Sequence, residues 1–221
     1  MMEKFFKRSF LAVYLVTDSD CLRQRPDRLS LLQGAELALK GGVTMLQYRA
    51  KNLDGGRMYE EALALKKLCD AYKVPLIVND RADIALAVGA AGVHVGQNDM
   101  PCTAVRRIAH PGFIIGVSAH NVEEARKAEL DGADYLGCGA VFGSSTKKDA
   151  AYLGEEGLAQ ICSSTNLPVT AIGGVNANNY GKVLRCGADG AALVSGILGA
   201  PDIRAAAAQF AATKRTFDKS L

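Results

Sequence analysis

At 221 residues the chain is long enough to bury one sizeable core, and 49% hydrophobic residues exclude a disordered polypeptide. Its 26 Lys and Arg against 23 Asp and Glu leave a net charge of +3, too little to argue for nucleic acid or an anionic membrane surface as partner. There is no Trp, and the aromatics are not interleaved with basic residues as a base-stacking platform requires.

The start, MMEKFFKRSFLAVYLVT, is basic, but its apolar run is broken by Tyr14 and ends at Thr17 and Asp18 without a small-residue cleavage site. It does not read as a secretory signal. AVYLVT (Ala12 to Thr17) is the first expected strand, and LLQGAELALKGG a helix stopped by Gly41 and Gly42. VTMLQYR follows as the second strand. MYEEALALKKLCDAYKV then places Ala62, Leu65, Leu68 and Cys69 on one helix face. PLIVND is the third strand, ADIALAVGAAG a helix and VHVG a short fourth strand. PCTAVRRIAH sets Pro101 at a helix start. FIIGVS, VEEARKAELDGA and DYLGCGAVF read as strand, helix and sixth strand. EEGLAQICSST, LPVTAIGG, ANNYGKVLRCGA, DGAALVSGIL and DIRAAAAQFAATKRTF continue the alternation through an eighth strand and a closing helix.

A unit of Gly-Ala-Asp and an apolar run recurs as DGADYLGCG and CGADGAALVSG, with GAAGVHVG a looser copy. In each, glycine ends a helix and a strand begins almost at once, a βα period of roughly 25 residues and not a solenoid. Eight such units predict an α/β fold, a (β/α)8 TIM barrel, as one domain over residues 12–221 behind an extension of residues 1–11. A doubly wound open sheet would show a glycine-rich turn after the first strand, and VTDSDCLRQRPDR has none. Cys21, Cys69, Cys102, Cys138, Cys162 and Cys186 form no CxxC pair and have no His at metal-ligand spacing. They read as buried thiols of a reduced compartment, with Cys138 as the one candidate for a lone catalytic thiol. No stretch offers the roughly 20 apolar residues a bilayer span needs. A cytoplasmic protein acting on small molecules is expected, without nucleic acid or membrane; the helix faces leave a homo-oligomer open.

In such a barrel the chemistry sits at the carboxyl ends of the strands, so polar residues should follow each apolar run. They do: Gln47, Arg49 and Lys51; Asn79 and Asp80; Gln97 and Asp99; Ser118 and His120; Ser144, Ser145, Thr146 and Lys147; Gly173 and Gly174; Ser195 and Gly196. Gln47, Arg49 and Lys51, spaced by two, share one face of an extended backbone and suit a polyanion, unless they are a solvated strand end. Asp80 and Asp99 beside them fit Mg2+, which takes one or two carboxylates plus substrate phosphates and water. Alternatively, Asp80 caps the helix that begins at Arg81 or Ala82. IGGV and VSGI, each before a helix, match the backbone phosphate grip of many barrels, although glycines there are also ordinary turn residues. A diphosphate site and a monophosphate site result, with AVFGSSTKKDA (Ala140 to Ala150) between them. His94 reads as interior packing, and His120 receives no role.

The motifs LQYRAKN, LIVNDRADIALAVGAAGVHVGQNDMP, IIGVSAHNVEEA, DYLGCGAVFGSSTKKDA and AIGGVNANN follow in order between YLVTD and GADGAALVSGI. Together they resemble the thiamine-phosphate synthase family over nearly the whole chain. The resemblance implies a Mg2+-assisted transferase that joins an aminopyrimidine carrying a diphosphomethyl group to a thiazole phosphate. It implies that Gln47, Tyr48, Arg49, Ala50, Lys51 and Asn79 bind the pyrimidine diphosphate, and that Asp80 and Asp99 hold the metal. Ser118 would face the pyrimidine and Lys147 the diphosphate, making Arg49, Lys51, Lys147 and Ser118 the catalytic set. Ser144, Ser145, Thr146, Gly174, Val194 and Ser195 would bind the thiazole phosphate. Ala50 stands where the family often has an acidic residue, Ala140 and Gly143 where prolines are frequent, and Ser144 where threonine is usual. Gly143 should loosen its loop by enlarging the unbound ensemble. A thiazole tautomerase would not need the full diphosphate and metal set, and a non-catalytic sensor of thiamine precursors would not need the carboxylates.

Overall fold

A computed structural model describes residues 6–143 and 152–220; Ser144, Ser145, Thr146 and Lys147 lie outside the described residues. Eight strands close in sequence order into a parallel barrel: β1 (Val13–Val16), β2 (Met45–Tyr48), β3 (Leu76–Asn79), β4 (Gly92–Val95), β5 (Ile114–Ala119), β6 (Tyr135–Cys138), β7 (Val169–Ile172) and β8 (Gly190–Leu193). Around it run α1 (Ser19–Arg23), α2 (Leu31–Lys40), α3 (Gly55–Tyr72), α4 (Ala82–Ala87), α5 (Cys102–Ile108), α6 (Val122–Leu130), α7 (Gly154–Ser164), α8 (Tyr180–Arg185), α9 (Ser195–Leu198) and α10 (Ile203–Asp218). The expected (β/α)8 barrel is the observed fold.

The strands read as unbroken apolar runs because helices cover their outer face and the barrel interior covers the other. Five of the eight are buried at every position, and the other three at all but one. Alternate residues divide between two cores. The outer core takes Val13, Leu15, Leu46, Tyr48, Val78, Val93, Leu136, Cys138, Val169, Ala171 and Leu193 with the helices. The inner core holds Tyr14, Val16, Met45, Ile77, Ile114, Tyr135 and Ala192. Gly116 on β5 is what admits the Tyr135 ring, since a Cβ there would stand 2.1 Å from Tyr135 Cζ. Helix starts follow the sequence signals: Ser30 and Gln33 form a capping box on α2, while Asp54, Asn121 and Asp202 cap α3, α6 and α10.

The stretch DGAALVSGIL departs from its reading as one long strand. It is β8 followed by the short α9, which buries Ile197 and Leu198. A short apolar run buried on all sides carries no period that separates strand from helix. Part of the extension is ordered as well. A 3-10 turn, Arg8–Leu11, lies at the amino end of the barrel, where Phe6 stacks on Tyr135 with centroids 5.3 Å apart. Arg8 reaches Asp189 and the Asn166 carbonyl. Among the described residues no helix is long and apolar enough to cross a membrane.

Candidate active site

The carboxyl ends of the strands surround a cavity of about 260 Å³. Residues within the strands form its floor and residues just past them its rim. Gln47, Arg49 and Lys51 all line it, so the spacing-by-two reading of β2 describes the structure. Arg49 is held against the wall: its amide donates to Thr17 Oγ1 at 2.9 Å, and its guanidinium lies 3.9 Å from Asp18, both side chains 14% exposed. Lys51 stands exposed at the mouth.

Tyr48 and Ala50 require a correction. Successive side chains of a strand point to opposite faces, and these two face away from the cavity. The Tyr48 hydroxyl donates to Glu61 Oε2 at 2.8 Å, and Ala50 packs against the outer core. Any contact they make with a ligand in the cavity is through the backbone.

Asn79 and Asp80 line the cavity from β3, and Asp99 from the loop after β4. The N-cap position of α4 is Arg81, one residue past Asp80, and the Arg81 side chain makes no cap bond. The Asp80 backbone is left-handed, φ 63°, and its amide donates to the His94 carbonyl at 2.8 Å. Such a conformation is uncommon outside glycine and clusters at functional sites. Asp99 is oriented by the Gly96 amide, which donates to Oδ2 at 2.7 Å.

On the opposite side, Gly173, Gly174, Val194 and Ser195 complete the rim. Gly174 has φ 65°, and a Cβ there would meet the carbonyl oxygens of Phe142 and Gly143 at 2.7 and 2.8 Å. Only glycine fits without moving backbone. Val194 and Ser195 stand where α9 begins.

The profile of the thiamine monophosphate synthase family matches residues 13–197. The thiamine-phosphate synthase of Clostridium acetobutylicum is 49% identical over 192 residues, 87% of this chain and 89% of that protein. That of Chloroflexus aurantiacus is 49% identical over 201 residues, 90% and 91% of the two chains. The chain belongs to the thiamine monophosphate synthase family. It is an enzyme of that kind. Among solved structures, thiamine phosphate pyrophosphorylase from Pyrococcus furiosus superposes with a TM-score of 0.86 at 40% identity, covering 95% of this chain and 98% of that one. A 3-hexulose-6-phosphate synthase, at 18% identity and TM-score 0.68, shares the fold alone.

Within this family member, the floor of the cavity holds an arrangement the sequence did not announce. Gln47 Nε2 donates to Tyr14 Oη at 2.6 Å, and Tyr14 Oη lies 2.8 Å from Tyr135 Oη. Tyr135 Oη lies 3.0 Å from His94 Nδ1, and His94 Nε2 lies 3.0 Å from Ser118 Oγ. The arrangement that leaves no buried tyrosine hydrogen unpaired runs one way, from Gln47 through both tyrosines to the imidazole. It puts the ring hydrogen on Nε2, aimed at Ser118 Oγ, so the Ser118 hydroxyl keeps its own hydrogen to donate. Burial raises both tyrosine pKa values well above the ordinary range, keeping the two hydroxyls protonated. His94, read as interior packing, is buried and also lines the cavity. The tyrosines escaped notice and His94 was read as packing because each sits inside an apolar run, where an aromatic looks like core. Their signal was register: Tyr14 and Tyr135 share the inward parity of Val16 and Gly137.

His120 lines the cavity too, its Nδ1 and amide both 2.8 Å from Glu124 Oε2, while Asn121 caps α6. Cys138 is no nucleophile: its side chain lies in the outer core, and burial holds its thiol far above the usual value. Gly143, at φ 81° and with no atom of the described residues within 4 Å of where a Cβ would stand, has a left-handed backbone that suits glycine. The four residues after it, Ser144 to Lys147, fall outside the described residues.

Proposed function

We propose that the chain joins its family's pyrimidine and thiazole halves by Mg2+-assisted departure of diphosphate, with one side of the cavity for each substrate. One observation carries this reading: Gln47, Arg49, Lys51, Asn79, Asp80, Asp99 and Ser118 line the same cavity as Gly174, Val194 and Ser195. Arg49 and Lys51 supply positive charge to the diphosphate, and Asn79 a neutral donor beside them. Ser118 and Gln47, fixed from behind by the hydroxyl chain, orient the aminopyrimidine on the floor. Gly174 and the first turn of α9 receive the thiazole phosphate on backbone amides. By the family resemblance, Ser144, Ser145 and Thr146 join that second site and Lys147 the diphosphate.

Among the described residues no group of three His, Cys, Asp or Glu side chains could hold a metal ion by itself. Two carboxylates on one rim do fit Mg2+, a hard ion that keeps several waters and completes its shell with substrate phosphate. Asp80 and Asp99 would hold it, and when bound it neutralises charge on the leaving diphosphate.

No general base is needed, because the thiazole nitrogen is already nucleophilic. The amino-substituted ring stabilises a methylene cation, so diphosphate departs before the thiazole attacks. The protein's part is electrostatic support of the leaving group and orientation of two partners. Protonated, buried tyrosines around the ring agree with this, since they can position but not abstract. The six free cysteines support a reduced, cytoplasmic setting. The test is thiamine phosphate formation from the two substrates with Mg2+ and with a chelator. Product only with Mg2+ is expected; equal rates in both, or no product, would overturn the reading.

A further inference from the structure

Thr170 lines the cavity from β7 and is 1% exposed, yet its Oγ1 is the one fully buried side-chain polar atom of the described residues without a hydrogen-bond partner. A buried hydroxyl left unmatched destabilises a fold, and native interiors avoid it. It is also placed in unusual space. Its register partners on β6 and β8 are Gly137 and Gly190, so neither flanking strand offers a side chain at that level. The imidazole of His94 leans over Gly137 instead, with Cε1 2.9 Å from where a Cβ would be. Thr170 thus belongs to the same floor as Tyr14, Gln47, His94 and Ser118.

We infer that Thr170 is a further substrate-contact residue, whose hydroxyl is satisfied by a nitrogen group of the bound aminopyrimidine; this rests on the function proposed above. The described cations of the rim are Arg49 and Lys51, whereas the described floor carries amide, hydroxyl and imidazole groups and no carboxylate, lysine or arginine. A neutral, nitrogen-rich ring belongs on that floor, and the phosphates above it. A hydroxyl donating to the thiazole nitrogen would occupy the lone pair that must attack, which assigns the contact to the pyrimidine. Because Oγ1 lies behind the surface that water touches, contact takes a rotation about Cα–Cβ that exchanges hydroxyl and methyl, a move between staggered wells.

The experiment compares Thr170→Val and Thr170→Ser with the wild-type chain by thermal unfolding without ligand and by titration with each substrate. Thr170→Val should weaken the pyrimidine diphosphate by roughly tenfold, the scale of one lost hydrogen bond to a ligand. It should leave thiazole phosphate binding unchanged and melt no lower than wild type. Thr170→Ser, which keeps the hydroxyl, should bind like wild type. Unchanged pyrimidine binding in Thr170→Val, or equal losses in both variants, overturns the contact alone. So does a lower melting temperature for Thr170→Val, which would show the hydroxyl already satisfied within the protein. A wild-type chain that binds neither substrate overturns the functional reading and the contact together.

Discussion

The two sides of the cavity are built from different materials. From β2 to β5 the wall is side chains: Gln47, Arg49, Lys51, Asn79, Asp80, Asp99 and Ser118. From β7 to β8 the rim is largely backbone, with Gly173 and Gly174 in left-handed conformations and α9 starting at Ser195. The first side offers charge and can be weakened by removing atoms. At the rim the second offers mainly amides and shape, and is damaged chiefly by adding atoms. A diphosphate that must leave needs charge supplied where negative charge builds up, whereas a phosphate that serves only as a handle needs a rigid cradle.

The largest expected effects come from Asp80 on the side-chain wall and from Lys147, which the family resemblance assigns to the diphosphate. Asp80→Ala and Lys147→Ala should each lower diphosphate release by about 10²- to 10³-fold, the usual scale for losing one group aimed at developing charge. Near-normal turnover in both variants would sink the proposed mechanism. On the backbone wall, Gly174→Ala forces a Cβ against two carbonyls at φ 65°. The strain, about 1–3 kcal/mol, should raise KM for the thiazole phosphate by roughly tenfold or more while KM for the pyrimidine diphosphate holds. If the pyrimidine KM moves equally, the two walls are not separate sites. The smallest effect is Tyr48→Phe. It removes the bond to Glu61 outside the cavity, so denaturant unfolding should show a loss of about 1 kcal/mol with both KM values unchanged.

The side-chain wall was readable in the sequence because a polar residue just after an apolar run is conspicuous, and Gln47, Arg49 and Lys51 keep strand parity. The same parity turns the side chains of Tyr48 and Ala50 away from the cavity, as expected for Ala50, and leaves only backbone for the contact that the family segment implies. The barrel itself was readable because each strand is buried on both faces and so appears as a compact apolar run. That uniformity also hid things: it merged β8 with α9, and it disguised Tyr14, His94 and Tyr135 as packing. Asp80 was ambiguous in the sequence between capping α4 and facing the cavity; the structure puts it in the cavity lining on a left-handed backbone, with Arg81 at the N-cap position. Thr170 gave no signal, since a threonine in a strand is ordinary and only the glycines on both flanking strands isolate its hydroxyl.

The most direct test of the two-walled account is equilibrium binding of inorganic diphosphate and of thiazole phosphate to the wild-type chain, each titrated alone and in the presence of the other. The account predicts that both bind at once, diphosphate only when Mg2+ is present and thiazole phosphate with or without it. Mutual exclusion of the two ligands, or an equal need for Mg2+ in both, would contradict it.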